Sequence, residues 1–485
     1  MRSDFCVVGG GLAGGIIAST LAADGRDITL IEQARVPAPL IPDDETWIGA
    51  QPQTSFTRGE GPGGSSNFWH GALVSLDRPD VEEHERGWWA GKSRITYDAL
   101  TPYYARALRT LAGDALTIDD LQDQDICARS FELRDSKFAF KPHYLPTRPL
   151  STKSLIDEAV DRHDLKLLTQ KVEAIEIDDD GRALAVITRS DIGSYRRVEA
   201  AHFVLCAGGI GSAKILLRSA NRSNALQALP IGRNMIDHPS GFVFKAKLRV
   251  ASQLAELFGG AVEKQQHWRR RLGFRLKPEH LALTGGRNHA LYLRPAFGMR
   301  DPADYYDLKT KLVRCRGVKV GLFDTLQLLK YPDLMLEAAA SHYAVHPPVQ
   351  YVSGFVVAEQ MPEDHNQIVL NSDGRFAIHW NVSADATRSI AAFLEMFFDE
   401  HADKFSGYRM SSGPLDSGGH HSGTCRMAAE PTQGVVDENF RVFGTSNLFV
   451  ADGSIIPFSG HANTGLTIAA LAHRCCDILR ECSVR

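Results

Sequence analysis

Near the N-terminus, Gly9-Gly10-Gly11-Leu12-Ala13-Gly14 has the spacing G-x-G-x-x-G. The first glycine permits a tight turn. The second lets backbone amides approach a pyrophosphate, and the third lets a helix pack closely on a strand. The positive end of that helix then faces the phosphates. Glu32 follows Gly14 by 18 residues, at the end of the next apolar run. A carboxylate there accepts hydrogen bonds from both ribose hydroxyls and disfavours a 2′-phosphate. The pattern fits FAD or NAD rather than NADP. The same glycines could form an ordinary loop, but a strand before, a helix after and a correctly spaced acid favour a dinucleotide.

The surrounding pattern supplies those elements. Residues 5–8 read as a short apolar strand, 12–23 as a helix of small residues and 28–31 as a second strand. Residues 41–75 are rich in Gly, Pro, Ser and Thr and read as loop. Residues 95–111 predict an amphipathic helix with Leu100, Tyr103, Tyr104 and Leu108 on one face. Residues 164–177 alternate as strands do. Residues 203–207 read as a buried strand entering Gly208-Gly209, with a helix over 212–219. Residues 240–410 lose the glycine punctuation and predict a second domain inserted in the first. Residues 417–485 return to glycine-rich loops, a strand at 448–450 and a final helix over 467–481.

The 485 residues are 44% hydrophobic, enough for a large core in two or three domains. The formal charge of −4 is spread along the chain, which argues against nucleic acid as a partner. One basic cluster, Arg269, Arg270, Arg271, Arg275 and Lys277, reads as a solvated face rather than an anion site. The eight cysteines show no C-x-x-C spacing and several sit in apolar runs, so buried free thiols and no metal are expected. No secretory signal or long apolar span is visible, so a cytoplasmic location without membrane contact is expected.

Several segments together resemble one family, the glucose–methanol–choline (GMC) oxidoreductases. Gly63-Gly64-Ser65-Ser66-Asn67-Phe68-Trp69-His70-Gly71 is similar to the family's glycine–serine loop beside the flavin. Residues 96–104, Ala207 to Ser212 and Ile231 to Pro239 continue the likeness. His420-His421-Ser422-Gly423-Thr424-Cys425-Arg426-Met427 resembles its H-x-x-G-T-x-x-M block. Val450 to Ser454 is similar to the last flavin-contacting strand, and Ala462 to Ile468 to the A-N-P-T-L-T-I helix start. The likeness fades between about 240 and 350.

This resemblance implies an α/β chain, α+β overall. A Rossmann-like FAD-binding domain (1–75, 150–239 and 411–485) would carry an inserted substrate domain on an antiparallel sheet (76–149 and 240–410). It implies oxidation of a hydroxyl group, in which a base takes the proton and the flavin takes the hydride. His420 falls at the catalytic histidine position. Asn463 falls where the family has His or Asn, and an amide can hold oxygen but cannot act as base. His461, two residues earlier, competes for the role. His70 would line the substrate pocket or simply pack there. Cofactor contacts are implied at Gly9, Gly11, Gly14, Glu32, Gly64, Ser65, Asn67, Phe68, Val172, Ala207, Gly208, Asp452, Gly453, Asn463 and Thr464. Phe68 stands where some members link FAD to a histidine, so non-covalent FAD is expected.

The His/Asn pair is closer to the sugar-oxidising, pyranose oxidase-like branch, which favours a sugar, glycoside or polyol. Trp268, Tyr305, Tyr306, Tyr343 and Tyr351 could stack on a sugar ring or serve as core. Oxygen, a quinone or a redox carrier would accept the electrons. Residues 318–340 read as core or as a lid. Two other readings stay open: an FAD-containing lyase of the cyanohydrin-cleaving type, and a nicotinamide-dependent dehydrogenase.

Overall fold

The computed structural model describes the chain apart from residues 1–2, 50–57, 83–94, 123–130, most of 253–266, most of 302–347, 483–485 and the single positions 132, 134, 149, 163 and 191. Tyr305, Tyr306, Tyr343, Cys127, Cys315 and most of 318–340 lie outside the described residues.

Ser3–Val8 and Ile28–Glu32 are nearly continuous apolar runs, the mark of parallel strands covered on both faces. They pair in parallel, Phe5 opposite Ile28 and Val8 opposite Ile31. The parallel sheet runs Leu165–Thr169, Ile28–Glu32, Ser3–Val8, Tyr195–Leu205, Leu448–Val450. Tyr195–Leu205 is 11 residues long because it serves three partners. Its second half pairs with Ser3–Val8 and Leu448–Val450. Its first half pairs antiparallel with Ala183–Arg189, which pairs on to Lys171–Ile177. The helix Leu12–Ala23 packs against Lys153–Asp161 and Gly465–Glu481 and is buried on most sides, so only small residues fit much of its length.

The second sheet is antiparallel. Its order is Val262–Glu263, Trp268–Leu276, Ala290–Ala296, Val349–Val357, Pro239–Ser252, Phe405–Met410, and Phe138–Pro146 pairs with Trp268–Leu276. Side chains alternate between its faces. Leu272, Phe274, Leu291, Leu293, Val352 and Val356 enter an apolar core closed by the helix Ala384–Glu400. That helix begins at Ser383, whose hydroxyl accepts the Ala386 N–H at 3.2 Å. It presents Ile390, Phe393, Leu394 and Phe397 at one-face spacing, and Phe397 meets Phe274 edge-on at 5.1 Å. The other face of the sheet turns His143, Arg271, Tyr292, Arg294, Ser353 and Phe355 toward the first domain.

The structure revises several local expectations. Residues 41–75 are not all loop: Glu45–Gly49 is a strand, paired in parallel with Phe376–Trp380. The helix expected from Ser212 starts at Gly208. Phe376, Ile378 and Trp380 pack in the core of the first domain, as do Leu100, Tyr104 and Leu108 of the helix Tyr97–Ala112. The cores therefore do not follow the boundaries 76–149 and 240–410. Sequence proximity suggested those boundaries, whereas the buried face of each element decides its partner. Cys6, Cys206, Cys425, Cys475 and Cys476 are buried free thiols.

One glycine tests the packing of the first helix on the sheet. A Cβ on Gly14 would lie 1.8 Å from the Gly9 carbonyl oxygen, whereas one on Gly11 meets nothing within 4 Å. Gly14→Ala is expected to cost about 2 kcal/mol or more and to lower the melting temperature of the flavin-free protein. Gly11→Ala should leave that temperature unchanged, and equal melting of both variants would refute the close approach.

Candidate active site

A cavity of about 1800 Å³ opens between the polar face of the antiparallel sheet and the ends of the parallel strands. Gly9, Gly11, Glu32, Gly64, Ser65, Asn67, Phe68, Val172, Ala207, Gly208, Asp452, Gly453, Asn463 and Thr464 all line it, as do His70 and His420. Gly14 does not, because it sits beneath, between helix and strand. His461 is also absent from the wall.

At one end, Gly11 starts the helix Leu12–Ala23 with no side-chain cap and no acid in its first turn. Its first amides and the open space over Gly11 make a cradle for an anion. The Gly63 N–H donates to the Gly10 carbonyl at 2.7 Å and joins the two glycine loops. Glu32 is buried and accepts from the amides of Gly10 (2.7 Å), Gln33 (2.7 Å) and Gly61 (3.2 Å). Burial still raises its carboxyl above the usual range despite these donors. The amides have taken much of its acceptor capacity, so the expectation of bonds to both ribose hydroxyls is reduced.

Asp452 joins three elements. It accepts from the Gly208 amide at 2.8 Å, the Ser212 hydroxyl at 2.6 Å and the Ser454 amide at 2.8 Å. Burial raises its carboxyl, and these donors oppose the rise. Asn67 is locked in its own loop. It donates to the Pro62 and Gly64 carbonyls and accepts from Ser151 at 2.6 Å. Thr464 opens the helix Gly465–Glu481, again without a side-chain cap. An uncapped glycine-rich helix start, an acid after the second strand and a second uncapped helix start fit FAD in this cavity.

At the other end the chemistry centres on Asp237, which is 1% exposed. It accepts from the amides of His238 (2.7 Å) and His420 (2.8 Å) and from the Ser417 hydroxyl, and His421 lies 3.5 Å away. Burial disfavours its charge, but the histidines and these donors outweigh burial and hold its carboxyl below the usual range. The two ring Nδ1 atoms of His238 and His420 are 2.9 Å apart. His238 Nε2 lies 2.9 Å from the Gly460 carbonyl, which can only accept.

The tautomers follow from which partner His238 Nε2 serves, because the Ser459 hydroxyl lies 3.0 Å from it as well as the Gly460 carbonyl; the arrangement that follows has Nε2 donating to that carbonyl. His238 carries its proton on Nε2, so its Nδ1 accepts from the His420 Nδ1–H. His420 Nε2 is then bare, and the Asn463 amide donates to it at 2.8 Å. Burial lowers the His238 pKa to about 3 and lowers that of His420, with Asp237 opposing the latter fall. Donor atoms of Asp237, His238 and His420 lie within 4.8 Å of one another, a spacing a cation could use. The two ring nitrogens involved are already spent on each other.

His461 has a different place. It is 1% exposed, lies 3.3 Å from Asp77 and stacks on His143 at 6.1 Å. Asp77 is held below the usual range: Arg275 and Lys141 overcome the opposing effect of burial. His461 thus belongs to a buried ionic network and does not compete for the base role. The basic cluster is also revised. Arg275 is buried on Asp77, while Arg269 and Arg271 turn into the cavity. Trp268 is core and does not line the cavity.

His238, Asp237 and Tyr292 were missed as site residues. The run Asp237-His238-Pro239 was the available signal for the first two, but its partners lie far away in sequence. The cradle generates a test. Gly11→Ala should weaken flavin binding about tenfold, read as Kd by fluorescence titration of the flavin-free protein. Unchanged affinity would move the phosphates elsewhere.

Comparison with known proteins agrees with this geometry. Residues 146–240 and 362–472 match the N- and C-terminal profiles of the GMC oxidoreductase family. The chain is 28% identical to the fructose dehydrogenase large subunit of Gluconobacter japonicus over 64% of its own length and 52% of that subunit. It therefore spans about half of that relative. It is 23% identical to the 6‴-hydroxyparomomycin C oxidase of Streptomyces lividus, over 97% of this chain and 90% of that one. Its fold is shared with formate oxidase of Aspergillus oryzae RIB40, with a TM-score of 0.61, 16% identity and coverage of 99% and 98%. Pyridoxine 4-oxidase from Mesorbium loti is similar, at 0.57 and 17%, with coverage of 98% and 99%. Two profiles of one family, matched in order along the chain, make it similar to the GMC oxidoreductases.

Proposed function

We propose that the protein oxidises a hydroxyl group of a small molecule to a carbonyl, with His420 as the base. The observation that carries this reading is the hydrogen-bond chain from Gly460 through His238 and His420 to Asn463, which leaves a bare nitrogen at the cavity. A hydroxyl that displaces the Asn463 amide from His420 Nε2, and accepts that amide N–H on its own oxygen, would give its proton to Nε2. Both nitrogens of His420 would then carry protons, one still held by His238. The buried negative charge of Asp237 supports the imidazolium as it forms. Asn463 holds the substrate oxygen and takes no proton. When bound, FAD supplies the hydride acceptor.

The fructose dehydrogenase relative supports a sugar, glycoside or polyol as the donor. Oxygen, a quinone or a redox carrier completes the cycle. FAD is non-covalent in this reading. Phe68 stands in the loop at the attachment position, and its ring packs over Gly59, where a Cβ would lie 2.7 Å from it. Acid precipitation should therefore release all the flavin into the supernatant. Yellow colour in the pellet would overturn that part of the proposal and point to His70, the nearby exposed histidine on the cavity wall.

His420→Ala should keep the bound flavin and lose about a hundred- to ten-thousandfold in turnover. For the native protein, the base must be neutral, and its pKa lies below histidine's ordinary 6.5. kcat/KM should therefore be flat through neutral pH and fall only on the acid side of 6.5. Full activity of the variant, or an acid limb above 6.5, would refute the assignment. A yellow protein that no hydroxyl donor bleaches under anaerobic conditions would leave the cyanohydrin-cleaving reading.

A further inference from the structure

Side chains of the antiparallel sheet line the same cavity as His420 and Asn463. Arg271 lies opposite His143 in the pairing with Phe138–Pro146, and Arg294 lies opposite Ser353 in the next strand pair. Phe274 pairs with Leu291, and the same register carried along the strands sets Arg271 against Arg294. Like charges facing each other on one side of a sheet repel. A carboxylate beside them would relieve the repulsion, yet neither arginine pairs with one among the described residues. The Nε of each is buried without a hydrogen-bond partner. Burial, with Arg294 as the second cause, lowers the pKa of Arg271 to about 9.

Their surroundings are ordered. The Arg294 guanidinium packs against a pair of touching rings, 4.9 Å from Phe355 and 5.4 Å from Phe242. The Tyr292 hydroxyl bonds to His143 and stands between the arginines and the buried network. Two uncompensated guanidinium groups on the wall of a reaction cavity are costly unless an anion joins them in use.

Building on the proposed oxidation, we infer that the hydroxyl substrate carries an anionic group, a carboxylate or a phosphate, held by Arg271 and Arg294. The anion would sit against the sheet while the reacting hydroxyl reaches His420 and Asn463. Substrates of this class are hydroxy acids such as aldonates and uronates, or phosphorylated sugars and polyols.

The test compares glucose, gluconate, glucuronate and glucose 6-phosphate as probes, on the flavin-loaded protein and on R271Q/R294Q. Neither arginine has an acid partner, so the double variant strands no buried carboxylate. Two readouts are taken: perturbation of the flavin spectrum on binding, and anaerobic bleaching. The expected result is that at least one anionic probe perturbs the spectrum at roughly ten- to a hundredfold lower concentration than glucose. The variant should lose that preference while keeping its flavin. A response only to gluconate or glucuronate assigns a carboxylate, and a response only to the phosphate assigns a phosphoryl group. Equal binding of glucose, or a preference that survives in the variant, overturns the inference. Flavin lost from the variant also overturns it, because the arginines would then serve the cofactor. Anion binding without bleaching by any hydroxyl donor would leave the arginine assignment standing and sink the proposed oxidation.

Discussion

A carboxylate shut away from water must be surrounded by donors, and Asp237 meets that demand with two backbone amides and a hydroxyl. Each donor comes from a segment that the site requires. The His238 amide fixes the turn into Pro239–Ser252. The Ser417 hydroxyl and the His420 amide fix the loop that brings His420 to the cavity. The two segments are also joined directly, by the pairing of Pro239 with Ser417 and by the Gly418 N–H, which donates to the His238 carbonyl at 2.9 Å. The carboxylate also supplies negative charge beside His420, which opposes the fall in that histidine's pKa caused by burial. One buried group thus shapes the loop and sets the charge beside His420.

The fold gives the cavity two unlike walls. The parallel sheet contributes helix starts and glycine turns, where exposed amides and positive dipole ends suit a pyrophosphate. The antiparallel sheet contributes side chains, because alternation sends one face into the phenylalanine core and leaves the other free to be polar. A cofactor recognised by backbone and a substrate recognised by side chains can then vary independently. The same division explains why the glycines resemble a family while the substrate wall resembles little: backbone recognition restricts residue type tightly, and side-chain recognition does not.

Much of the fold was legible in local pattern. The strands Ser3–Val8 and Ile28–Glu32, the helices Leu12–Ala23 and Tyr97–Ala112, and the strand Leu448–Val450 lie close to where run length and periodicity put them. The strand Glu45–Gly49 was not legible. Its residues are half exposed, and its partner Phe376–Trp380 lies more than three hundred residues away in the chain. The basic cluster misled for a related reason. Consecutive arginines on a strand point to alternate faces, so Arg271 and Arg275 turn inward beside an outward-looking run.

The sequence by itself determined the dinucleotide cradle, the acid after the second strand and the segments bearing His420 and Asn463, because tight turns and close backbone approaches demand particular residues at particular spacings. Only the tertiary structure decided the partners of His420, a ring 182 residues away at Nδ1 and the Asn463 amide at Nε2. It alone packed His461 on Asp77, away from the cavity wall, and it alone set Arg271 and Arg294 on that wall with no carboxylate partner among the described residues. Protonation and charge pairing depend on what surrounds a group in space, and strand register between distant segments sets those surroundings.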